Sequence, residues 1–241
     1  MLDVEKYLRI EDSSVSATNE TEWPHSFTIP HRIEDTTITR IDDHAFDWEN
    51  HAIRYGISQL IIEEGIEEIG KYAFYHCTNL QTVILPNSLK HIDDYAFCGC
   101  TNLYLVNQYS HFSNDPYARY SHTLSEDLQT LYVKRIGKHA FENCILNNAS
   151  HLHRGRRAGI SCYSKIIDEY AFAKCHGLNA MYFEYANDTT LYNYCFQDSS
   201  IDYVFMSRFG DSTTIAPFTF DSNWKYTEEY IDHILARHYS K

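Results

Sequence analysis

The sequence predicts an α/β repeat solenoid, with a parallel sheet on one face and short helical turns on the other. Three observations carry this prediction. A unit Ile-x-x-x-Ala-Phe recurs along the chain, a short alternating apolar run follows each copy, and a small residue precedes nearly every Phe. The copies are Ile41 to Phe46, Ile69 to Phe74, Ile92 to Phe97, Ile136 to Phe141 and Ile167 to Phe172, with weaker ones at Leu191 to Phe196 and Ile215 to Phe220. Phe-to-Phe spacings of 28, 23, 44, 31, 24 and 24 give a unit of about 23 residues. The spacing of 44 suggests a degenerate copy near residues 107–130.

The runs Leu60-Ile-Ile62, Val83-Ile-Leu85, Leu131-Tyr-Val133, Met181-Tyr-Phe183 and Val204-Phe-Met206 alternate and are rich in branched and aromatic side chains, which reads as short strands. Ala-Phe-x-x-Cys, apolar at i, i+3 and i+6, reads as a helical turn. One strand and one turn have no second layer, so a single unit cannot bury its Phe. Stacked coils about 4.8 Å apart would line the Phe side chains up in one interior column, each worth roughly 1.5–3 kcal/mol. Ala45, Ala73, Ala96, Ala140, Ala171 and Cys195 are small, as close neighbouring coils require. A second column, His44, Tyr72, Tyr95, His139, Tyr170, Tyr194 and Phe218, is expected to pack turn against turn on the convex side.

The pattern Ile-x-x-Ile-x-x-x-Ala-Phe-x-x-Cys-x-x-Leu-x-x-Val-x-Leu-Pro, nearly intact from Ile66 to Pro86, resembles the BspA-type leucine-rich repeat. The resemblance implies a right-handed leucine-rich-repeat solenoid that binds proteins or surfaces. It divides the chain into an N-terminal cap or polar leader over 1–26, a solenoid over 27–224 and a C-terminal segment. Residues 107–133 resemble the hairpin-bearing variant unit of that family, and 145–165 depart from the pattern. Over 225–241, Tyr230, Ile231, Ile234 and Leu235 make one apolar face behind Thr227, which predicts a capping helix.

Composition narrows the function. The chain has 241 residues and a formal charge of −13, a field that repels nucleic acid. No apolar run reaches the ~20 residues that span a bilayer, so no membrane insertion is expected. The start carries no basic region followed by an apolar one. A cytoplasmic protein is the expectation, or a surface or secreted one if a leader has been removed. Seven cysteines, four of them (Cys77, Cys100, Cys144, Cys175) at one repeat position, read as buried free thiols rather than a disulfide framework or a metal set. No metal and no cofactor is expected. No phosphate-binding loop, dinucleotide fingerprint or nucleophile motif occurs, so the chain reads as non-enzymatic.

If Val83 and Leu85 point inward, Ile84 points outward, and so do Ile61, Tyr132, Tyr182 and Phe205, with Tyr203 beside them. Soluble monomers rarely leave such a stripe uncovered. It reads as a docking surface for a protein partner. A glycan-binding surface of an adhesin, self-association and a mutually supporting ladder are the other readings. Arg154, Arg156 and Arg157 form the one basic cluster, either an anion contact or a solvated loop.

Overall fold

A computed structural model describes residues 4–47, 56–108, 129–146, 159–177, 180–183, 190–192, 194–200, 203–207, 225–231 and 234–240. The alternating runs form strands, because burying every second residue against a neighbouring coil also pairs the backbone. In the larger set, β3 (Ser26–Ile29), β7 (Gln59–Ile62), β9 (Thr82–Leu85) and β11 (Leu105–Gln108) pair in parallel. So do β12 (Gln129–Leu131), β14 (Gly159–Cys162), β16 (Ala180–Phe183) and β18 (Tyr203–Ser207). The residue pair ending in each unit's Ile forms a second, short-stranded sheet: β6 (Arg40–Ile41), β8 (Glu68–Ile69), β10 (His91–Ile92), β13 (Arg135–Ile136), β15 (Ile166–Ile167) and β17 (Thr190–Leu191). A hairpin of β1 (Leu8–Glu11) and β2 (Ser14–Ala17) closes its N-terminal edge, β2 pairing with β6. A small hairpin, β4 (Arg32–Ile33) and β5 (Thr36–Thr37), joins β3 to β6.

Between the sheets runs the core. Phe46, Phe74, Phe97, Phe141, Phe172 and Phe196 are buried and stack in sequence, centroids 5.0, 5.1, 5.3, 5.3 and 5.9 Å apart. Tyr7 and Trp23 lie against Phe27, and Trp23 against Phe46, sealing the N-terminal end of the column with aromatic contacts. Phe220 lies outside the described residues.

Phe97 stacks directly on Phe141, and β10 pairs directly with β13. The degenerate copy expected near 107–130 therefore adds no ring to the column. Its described start, β11, extends the β3-β7-β9 ladder by one strand, while in the short-stranded sheet β10 is followed directly by β13. Most of the hairpin-like unit over 107–133 lies outside the described residues. In the aberrant stretch 145–165, β14 supplies the expected rung between β12 and β16.

Two expectations of helix give way. Helix is almost absent among the described residues, which hold a 3-10 turn at Val4–Lys6 preceding β1 and one α-helical residue, Gly56. The Ala-Phe-x-x-Cys segments are overlapping turns. Ala73, Tyr75 and Cys77 N–H close locally onto Gly70, Tyr72 and Phe74 carbonyls, while Tyr72, Phe74 and His76 N–H donate to Asp94, Ala96 and Cys98 carbonyls of the next rung. An α-helix would spend these donors within itself and leave the coils untied. The alternation needs positive φ at His44, Tyr72, Tyr95, His139, Tyr170 and Tyr194, between 56° and 62°. That conformation costs about 1–2 kcal/mol per residue, offset by a rung-to-rung bond of about 1 kcal/mol and by ring stacking of about 0.5–1.5 kcal/mol. The second helix, expected over 225–241, is replaced by strands β19 (Lys225–Ile231) and β20 (Ile234–Ser240), an antiparallel hairpin in which β20 pairs with β18. Tyr226, Thr227, Tyr230, Ile231, Ile234 and Tyr239 suit a strand as well as a helix face, and the open edge of β18 supplies a backbone partner that a helix could not use.

Candidate docking face of the large sheet

Alternation places the predicted surface. Leu60, Ile62, Val83 and Leu85 are buried, while Ile61 and Ile84 between them are half-exposed and adjacent in register. Thr28 and Asn107 occupy the same register column on either side. At the other end, Tyr182 and Phe205 are register neighbours, and Tyr203 stands opposite Ala180. These three are placed by backbone pairing.

Tyr132 does not join that column. Thr130 and Ser161 hold the positions in line with Tyr182, and Tyr132 lies two residues farther on, past the end of β12. The apolar positions are thus two pairs on two ladders, Ile61–Ile84 with Asn107 beside it in β3-β7-β9-β11, and Tyr182–Phe205 with Thr130 and Ser161 beside it in β12-β14-β16-β18. The offset arises because the link to the short strand is shorter here: Leu131 precedes Ile136 by five residues, whereas Leu85 precedes Ile92 by seven. Tyr132 stacks instead on Tyr163, centroids 4.0 Å apart at 12°. Tyr163 escaped the Phe-based alignment. Counting back from the Ile would have found it, since each Tyr stands four residues before Ile136 or Ile167.

The outer ring column is continuous from His44 through Tyr72, Tyr95, His139 and Tyr170 to Tyr194, with centroids 4.9, 4.8, 4.5, 4.8 and 5.4 Å apart. Each inner ring thus has both faces covered by its neighbours, which fits packing rather than ligand stacking. Phe218, Arg154, Arg156 and Arg157 lie outside the described residues.

Electrostatics beside the short-stranded sheet follow an alternation the sequence reading overlooked. Asp42-Asp43 and Asp93-Asp94 occupy rungs that precede Gly70-Lys71 and Gly137-Lys138. Asp43 and Asp94 Oδ1 accept the Lys71 and Lys138 backbone N–H groups at 2.9 and 3.0 Å. A Cβ on Gly70 or Gly137 would come within 2.5–2.8 Å of atoms of the preceding Asp rung, so only glycine fits. Arg135 joins three carboxylates, Asp93, Asp94 and Asp168, and Arg40 joins Asp42, Asp43 and Glu68. Burial, then the charge of Glu68, pushes the Asp93 carboxyl up, against the pull of Arg135.

All seven cysteines are buried free thiols. Cys77, Cys100, Cys144 and Cys175 donate to the carbonyls of Phe46, Phe74, Phe97 and Phe141, one rung back, at 3.0–3.2 Å. Burial pushes the Cys98 thiol up to about 12 and Cys162 to about 11, and raises Cys100, Cys144, Cys175 and Cys195 as well. These six are protonated at neutral pH and are poor nucleophiles. No group of three or more metal-ligating side chains gathers among the described residues.

A family model for the BspA type leucine-rich repeat region matches in six copies, over residues 39–163 and 156–235. No curated protein matches the chain. Among solved structures, a leucine-rich repeat protein of T. pallidum is similar at 15% identity and a TM-score of 0.50, covering 80% of this chain and 81% of that one. A leucine-rich cell surface protein of Faecalibacterium prausnitzii is similar at 19% identity and a TM-score of 0.50, over 95% of this chain and 56% of that one. At these identities the likeness is one of fold.

Proposed function

The chain belongs to the BspA-type leucine-rich repeat family, and from that premise we propose that it is a non-catalytic module that binds a protein partner on the open face of its large sheet. The observation that supports this reading is the Ile61–Ile84 pair. Two large aliphatic side chains sit in register on the outward side of β7 and β9, half-exposed, although the inward positions already bury the apolar surface the fold needs. Parallel coils give such a face a fixed spacing at little entropic cost, which is what a preorganised interface requires.

A photo-crosslinking residue at Ile84 tests it, with the same residue at Tyr194, on the turn side, as control. The partner trapped at Ile84 is identified, purified and titrated against the protein. Ile61→Asp with Ile84→Asp is expected to weaken that complex at least about a hundredfold, as for central contacts worth 2 kcal/mol or more each. Crosslinks only between copies of this chain would replace partner binding with self-association. Unchanged affinity would remove the face from the function.

A further inference from the structure

We propose that the rim of the large sheet at β12 and β14 is a built anion site, and that the docking segment of the protein partner carries carboxylates there. The inference rests on the docking reading above and names its chemistry.

Two successive rungs repeat one pattern, Leu131-Tyr132-Val133-Lys134 and Cys162-Tyr163-Ser164-Lys165. Tyr163 N–H donates to the Leu131 carbonyl and Lys165 N–H to the Lys134 carbonyl, at 2.9 and 3.1 Å, which locks the two segments in register. Leu131, Val133, Cys162 and Ser164 are buried, so the residues between them turn outward together. Lys134 and Lys165 are both exposed. The lysine one rung earlier, Lys90, pairs with Glu67. Among the described residues neither Lys134 nor Lys165 has an acidic partner, in a chain whose formal charge is −13. Two uncompensated ammonium groups one rung apart, about 4.8 Å by strand spacing, can share one carboxylate between them.

The tyrosines narrow the ligand. At 4.0 Å and 12° their facing surfaces are closed to a sugar ring. Toward β7 the rim changes sign. Glu63 and Glu64 are exposed, Glu63 taking the His31 N–H and Glu64 the N–H groups of Asn87 and Ser88. A partner acidic at one end and not at the other would therefore dock in one direction only.

The test uses the full chain and fluorescence anisotropy with a labelled Glu-rich peptide, the same peptide with Gln for Glu, a hexuronate oligomer and inorganic phosphate. The Glu peptide is expected to bind, to weaken steeply with salt, and to lose at least about tenfold in affinity with Lys134→Glu plus Lys165→Glu. Lys134→Arg plus Lys165→Arg should retain binding. Equal binding of the Gln peptide, indifference to the charge reversal, or stronger competition by the uronate or phosphate overturns the proposal. Failure here is separable from failure of the docking face. If the complex identified through Ile84 is lost with Ile61→Asp and Ile84→Asp but unmoved by the lysine reversals, the face stands and only the anion site falls.

Discussion

The inner and outer ring columns share a rung spacing and a stacked geometry, yet different forces hold them. Phe46 to Phe196 are almost wholly removed from water, and their stabilisation is mostly apolar burial. His44 to Tyr194 keep part of their surface exposed and sit on a left-handed backbone that burial alone would not justify. The donor that this backbone frees for the next rung is what makes the conformation worthwhile. A regular column of rings is therefore not sufficient to identify a core. The backbone beneath it decides what each ring contributes.

The largest effect should come from the inner column. Phe97→Ala, with aromatic neighbours on both faces, should destabilise the fold by about 3–5 kcal/mol in urea or thermal unfolding; a loss below 1 kcal/mol would mean that the rings are not a continuous core. The outer column should respond differently to the two smallest residues. Tyr95→Ala removes two stacking contacts and keeps the strained φ of 61°. Tyr95→Gly removes the same contacts but relieves the strain, so it should be milder by about 1 kcal/mol. Helical turns would give the reverse order, alanine being the better helix former by about 1 kcal/mol. The smallest effect is confined to alkaline pH. Burial holds the native Cys98 and Cys162 thiols near 12 and 11 against about 9 unfolded, so the folded state binds protons that the unfolded state releases. Their contribution is complete below pH 9 and fades as pH rises toward 11–12. The melting temperature should fall across that window, and maleimide labelling at pH 7.5 should require unfolding.

Legibility varied with how each residue is constrained. The Phe, Ala and Cys columns could be read in the sequence because every rung puts the same demand on the same position: an inward ring, room for the next coil, a donor for the carbonyl behind. Glycines 70 and 137 were legible in principle, as the Asp-Asp and Gly-Lys rungs alternate, but the reason lies in contacts 27 and 43 residues away. Tyr132 was misplaced because outward positions follow the strand register, and the link to the short strand changes length from rung to rung. The C-terminal segment was misread because its apolar pattern fits both a helix face and a strand.

By itself, the sequence determined the repeat, the interior column and the sheet that goes with it, since alternation and spacing are local properties of the chain. Tertiary structure decided which repeats are true neighbours, whether the turns are helical, and which tyrosines and lysines meet at one rim. Each of these depends on a backbone group or side chain finding its partner one coil away, at a sequence distance that insertions vary freely.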